Sequence, residues 1–150
     1  MNNNLSLSFL GETPKDKLTT ILIFAIIGVV GYFLAKKLYV KVLGIINQQK
    51  YSNELDNELI KGKKLSYSEN LYQSYANKLY AAMKGLGTDE KAIFAVFNAM
   101  NNKADLLKIL TVFGTRDNMS LNEWIYDDLS LSDINKINTI LANKGIEYSF

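Results

Sequence analysis

The sequence predicts an all-α protein: an N-terminal transmembrane helix, a polar helical stalk, and a compact five-helix domain. Three observations predict it. Leu18 to Ala35, "LTTILIFAIIGVVGYFLA", is a run of eighteen residues without a charge. From Ser66 onward, apolar residues recur at helical spacing, and each recurrence is bounded by cap and stop residues. Over those roughly 85 residues no strand pattern of any length appears. The expected divisions are a short polar N-terminus over 1–17, the membrane helix and its extension over 18–46, a stalk over 47–65 and the helical domain over 66–150.

The apolar run comes first. A hydrocarbon core requires about 20 apolar residues in a helix, with a lower limit of about 17. Ile21, Phe24, Ile27, Val30 and Phe33 are the expected lipid anchors. Gly28 and Gly31 are tolerated in such helices because a partner helix can approach there. Lys36, Lys37 and Lys41 follow the run and supply its flanking charge. By the excess of lysine on that side, the C-terminal domain is expected to face the cytoplasm on insertion; in a virion membrane the same rule would set only the initial insertion. Tyr32 and Tyr39 suit the interface. The opening "MNNNLSLSF" lacks the basic start of a secretory signal. A buried core helix is the alternative reading, and eighteen uncharged residues weigh against it.

The polar stretch "NQQKYSNELDNELIKGKKLSY" reads as a solvated spacer, with Leu55 and Leu59 four apart on a short exposed helix. Five helices then follow. Ser66 or Ser68 caps the first, which carries Leu71, Tyr75, Leu79 and Ala82 and stops at Gly85. Thr88 caps the second, with Asp89 and Glu90 in its first turn and a stripe of Ile93, Val96, Phe97 and Met100. Asn101 or Asn102 caps the third, which carries Leu106, Leu107, Leu110 and Phe113 and ends at Gly114. Ser120 with Glu123 forms a capping box for the fourth, with Leu121, Ile125 and Leu129 inside. Trp124 shares that register, so a core position is expected, with an exposed anchor as the alternative. Ser132 caps the fifth, built on Ile134, Ile137, Ile140 and Leu141, and Gly145 follows it. The tail "IEYSF" is expected to be extended and packed by its aromatics.

Composition narrows the function classes. The 150 residues contain no Cys and no His. Disulfides, thiol nucleophiles and Ser-His or Cys-His dyads are therefore excluded, and the usual neutral-pH proton shuttle is missing. Asp127 and Asp128 are adjacent and point to different faces of a helix, which does not assemble an acid–base pair. A non-enzymatic protein without a small-molecule substrate is expected. A net charge of +2 is too small for a nucleic-acid footprint.

One stretch carries a family likeness. "MKGLGTDEKAI" resembles the first interhelical loop of an annexin repeat, whose pattern is Gly-x-Gly-Thr followed by acids; here these are Gly85, Leu86, Gly87 and Thr88. "FGTRD" at 113–117 resembles the turn after the third helix of that repeat, and "DDLS" at 127–130 its acid-Leu-Thr stretch. The number and order of helices agree over roughly Leu65 to Phe150. The chain departs from animal annexins in holding one repeat, a built-in apolar helix, a longer stretch between Asp117 and Asp128 and the ending "GIEYSF". It is more similar to short single-repeat annexin-like proteins of bacteria and their phages.

That resemblance implies a compact annexin-like domain and possible calcium binding. The ion would be held by the backbone carbonyls of Met83, Gly85 and Gly87 and by a distant carboxylate, Asp127 or Asp128. Residues alone offer a second explanation of the same loop. Gly85 can stop a helix, and Thr88, Asp89 and Glu90 can start one without any ion. Three functions follow as expectations. The first is a membrane-anchored structural or interaction protein, in a phage a minor virion or membrane component, with a lipid bilayer and a protein partner or a second copy of itself. The second is a calcium-dependent phospholipid-binding module. The third is a holin-like lysis accessory.

Overall fold

A computed structural model describes residues 13–150 of the chain; the first twelve residues of the expected polar N-terminus lie outside the described residues. Among the described residues there are six helices and one two-residue hairpin: α1 (Pro14–Ile60), α2 (Glu69–Met83), α3 (Glu90–Ala99), α4 (Lys103–Phe113), β1 (Thr115–Arg116), β2 (Met119–Ser120), α5 (Leu121–Asp128) and α6 (Leu131–Asn143). The expected all-α class holds. The chain divides into two units, one up to Tyr39 and one over Val40–Phe150.

The first unit is the N-terminal part of α1. Thr13 Oγ1 accepts from the Asp16 amide at 3.2 Å, closing the helix start. Thr19 and Thr20, the two polar residues of the apolar run, donate their hydroxyls to the carbonyls of Lys15 and Asp16 at 3.0 and 2.9 Å. Their polarity is thus satisfied within the helix, as a hydrocarbon environment demands. Ile21, Phe24, Ile27, Val30 and Phe33 are all more than half exposed. This is the one helix among the described residues that is long and apolar enough to cross a membrane, with a mean hydropathy of 2.4 over its best window.

The second unit holds the core. Buried residues come from every helix in it, among them Tyr72 and Leu79 of α2, Phe97 of α3, Leu106 and Leu110 of α4, Ile125 of α5 and Ile137 of α6. The expected solvated spacer is different from its forecast. Residues 47–60 continue α1, Leu55 is only 7% exposed, and Tyr51 packs against the core. Gly44 lies so close to the hairpin that a Cβ there would stand 2.5 Å from Thr115 Oγ1. Glu54 of the same helix pairs with Lys103 at 2.7 Å. Spacing of 40, 43, 47, 51, 55 and 58 lays one stripe of α1 along the domain, which the polar residues between them conceal in sequence.

The helix ends follow local chemistry. Asn102 Oδ1 accepts from the Asp105 amide to cap α4, and Gly114, with φ of 61°, ends it. Ser120 and Glu123 form the expected capping box on α5. α6 is capped by Ser130, not Ser132: the Ser130 side chain accepts from the Asp133 amide. The hairpin was not expected. Its two-residue turn, Asp117–Asn118, has φ of 48° and 66°, the left-handed pair that joins twisted strands most directly. The C-terminal tail docks as expected, with Ile146 and Phe150 buried. Asn138 Nδ2 donates to the Phe150 carbonyl at 3.0 Å, and its Oδ1 accepts from the Phe150 amide at 2.9 Å.

Candidate functional site

The loop between α2 and α3 is built by its glycines. α2 ends at Met83, and the Asp89 amide reaches back to the Ala82 carbonyl at 2.9 Å to close the loop. Gly85 and Gly87 adopt φ of 129° and 86°. An L side chain is strained at either value, so the path of the loop itself requires glycine there. Leu86, between them, is fully exposed.

Thr88 does not cap α3. That role falls to Asp89, whose Oδ1 accepts from the Ala92 amide at 2.9 Å. The Thr88 hydroxyl donates instead to Asp128 Oδ2 at 2.7 Å, across forty residues of sequence. A carboxylate from the end of α5 is thereby held against the loop. Asp127 is exposed one position earlier on the same helix, and no bond of its carboxylate to the loop is present among the described residues. Tyr126 and Leu131, on either side of the two acids in sequence, are large exposed side chains.

The entry to the loop is tied to the hairpin. Lys84 Nζ donates to Tyr80 Oη at 2.6 Å, and Tyr80 Oη donates to Asp117 at 2.6 Å. The Tyr80 hydrogen bond, and then the charge of Lys84, hold the Asp117 carboxyl below its usual range. The Arg116 guanidinium lies over the Tyr80 and Phe113 rings at 5.1 and 4.8 Å. Trp124 meets the Tyr80 ring edge-on at 5.5 Å and donates Nε1–H to the Arg116 carbonyl at 3.0 Å. Its half-buried place and satisfied N–H match the core expectation. Sequence reasoning missed the Lys84–Tyr80–Asp117 chain; the one available signal was Asp-Asn as a two-residue turn.

The loop has the donor types that calcium takes: backbone carbonyls freed by glycine, and one carboxylate. Among the described residues, no three acidic side chains gather as a metal cluster. A calcium ion at this loop would meet Asp128 as its one nearby side-chain acid and would otherwise depend on carbonyls.

Residues 74–137 match the annexin family model. The matched span runs from within α2 to within α6 and includes the loop, Thr88 and Asp128. It supports an annexin-like repeat in this part of the chain. No curated protein and no solved structure matches the chain.

Proposed function

We propose that the chain is a membrane-anchored, non-enzymatic module whose annexin-like repeat binds an anionic lipid surface through calcium held at the 83–88 loop. The observation that carries this reading is the Asp128 carboxylate held 2.7 Å from the Thr88 hydroxyl, beside two glycines in left-handed or related conformations. The carbonyls of Met83, Gly85 and Gly87 and the Asp128 carboxylate would hold the ion, and the ion supplies positive charge for lipid phosphate. Asp127 is the substitute acid only if α5 turns. The fully exposed Leu86 gives the loop an apolar tip that suits a lipid interface. Few charged ligands imply weak affinity, in the range of about 10⁻⁴–10⁻³ M. The 18–35 segment of α1 is the anchor, with its C-terminal lysines on the cytoplasmic side.

A second reading takes the same anchored domain as a structural tether for a protein partner or a second copy, as in a virion membrane. The exposed apolar helix favours it as much as it favours the first. One experiment separates them. The full chain is held in nanodiscs of neutral lipid, and its melting is recorded with calcium, with magnesium and with neither. At ten times the dissociation constant, calcium should add about 1.4 kcal/mol, a rise of about 6–11 °C. Asp128→Asn should abolish the rise, and phosphatidylserine vesicles should be recruited only with calcium and the wild-type chain. A flat response to millimolar calcium, with no recruitment, leaves the tether.

A further inference from the structure

A second polar feature lies away from this loop. The end of α1, the start of α4 and the end of α6 meet around a cleft of about 400 Å³. α3 separates the two features: it begins directly after the loop and ends just before the cleft residue Asn101. Ten helical residues span about 15 Å, so neither feature draws on the residues of the other.

The lining of the cleft is mainly cationic. Lys61, Lys63, Lys103 and Lys144 line it, against Glu58 and Glu147. With Glu54, which holds Lys103 from beside the lining, the four lysines meet three carboxylates, a net of one positive charge. The carboxylates do not cancel it evenly. Glu58 is bonded by Lys61 at 3.0 Å, and Lys103 is held by Glu54 at 2.7 Å. Lys63 and Lys144 have no carboxylate at salt-bridge distance among the described residues. They come from different elements, one after α1 and one after α6, and both border the same hollow. Like charges converging in a concave site repel each other, and an anion between them removes that cost. The size falls in the ordinary range for small-ligand sites. Lysine ammoniums act on a phosphate as point charges and need no planar fork geometry.

We propose that this cleft binds a phosphate group, with Lys63 and Lys144 as its principal contacts and Lys61 and Lys103 as supporting charge. A free phosphate and a phospholipid headgroup share this chemistry. Binding here is independent of calcium, which distinguishes it from the loop.

The test uses the ¹⁵N-labelled full chain in non-ionic detergent with a calcium chelator present. Two-dimensional NMR spectra are recorded against inorganic pyrophosphate, against short-chain phosphatidylglycerol, and against sodium chloride at equal ionic strength. The expected result is a saturable shift of the Asn101, Asn102 and Gly145 amides with at least one phosphate probe and none with chloride. Lys63→Gln with Lys144→Gln should weaken it by about tenfold or more, since both principal charged contacts are lost. The same spectra verify that the variant is folded. Pyrophosphate and phosphatidylglycerol acting alike support free phosphate chemistry; phosphatidylglycerol acting alone supports a headgroup site. No saturable shift, an equal shift with chloride, or an unchanged response of the folded double variant overturns the proposal. Because calcium is absent, each of these outcomes leaves the loop reading untouched.

Discussion

Asp105 is fully buried, yet it satisfies four donors at once. Tyr72 Oη donates to it, the Ser66 amide and hydroxyl donate at 2.9 and 2.7 Å, and the Asn101 amide donates at 2.9 Å. One carboxylate thus ties the segment before α2 and the α3–α4 turn to α4. Burial pushes its pKa up, but these hydrogen bonds outweigh burial and leave it below the ordinary value. The sign of the pH dependence follows. A carboxyl whose folded pKa is depressed stabilises the fold above its unfolded pKa of about 3.9, and that stability is lost as pH falls through the folded value. Asp105→Asn should cost roughly 2–4 kcal/mol at neutral pH and flatten the loss of stability below about pH 4. Urea unfolding at several pH values checks both; a variant as stable as wild type at pH 7 would refute the role. The loop glycines call for a different control. Gly87→Ala should cost about 1–2 kcal/mol through its φ alone, with or without calcium, because a Cβ there meets nothing within 4 Å. Asp128→Asn is therefore the cleaner probe of the ion.

The helical elements show where sequence reasoning reaches and where it stops. The stripes of α3 to α6 were legible because burial imposes a period, and the Ser120–Glu123 box because it needs both residues at fixed spacing. In α2 the expected Leu71 is exposed and Tyr75 half-buried, and Tyr72 and Ala76 are buried with Leu79 and Ala82 instead. The caps of α3 and α6 slipped by one or two residues for a physical reason. Several short polar side chains precede each helix, and any of them can accept the first free amide. At α3 the choice was made from outside the segment, since Asp128 engages the Thr88 hydroxyl and leaves Asp89 to cap. The same contact joins Thr88 to Asp128, one of the two acids that the annexin likeness singled out. The hairpin left no trace of alternation, because strands of two residues are too short to show one. Its evidence is the turn, where Asn118 has φ of 66°. Asn118→Val should therefore destabilise the domain by about 1–2 kcal/mol, and Ser120→Ala by about 1 kcal/mol. Thermal melting of each variant measures this, and an unchanged Asn118→Val would mean that the turn relaxes to another form.

At the scale of the molecule, α1 carries two kinds of surface, and only the first was legible. Eighteen uncharged residues announce themselves. The stripe of Tyr51, Leu55 and Glu58 does not, because a few packed positions are diluted among Gln, Asn, Lys and Asp. Their neighbours lie far along the chain: Lys103 of α4 pairs with Glu54, Thr115 of the hairpin lies against Gly44, and Tyr148 of the tail hydrogen-bonds with Tyr51. Leu55 in the core, the Glu54–Lys103 pair and the close approach of Gly44 to Thr115 make this part of α1 a structural member of the domain. A fragment over 40–150 should then melt near the temperature of the full chain. A fragment over 65–150, matching the expected stalk boundary, should melt lower. Loss of a buried leucine alone costs about 2–5 kcal/mol, and 1 kcal/mol corresponds to about 4–8 °C in a domain of this size. The shorter fragment should therefore lose at least about 8 °C, and Leu55→Ala in the longer one should reproduce much of that loss. Equal melting of the two fragments would return residues 47–60 to the role of a solvated spacer. The difference also bears on the calcium measurement: a domain lacking its α1 face would confound a weak ion effect with a frayed core, so the loop must be tested with α1 in place.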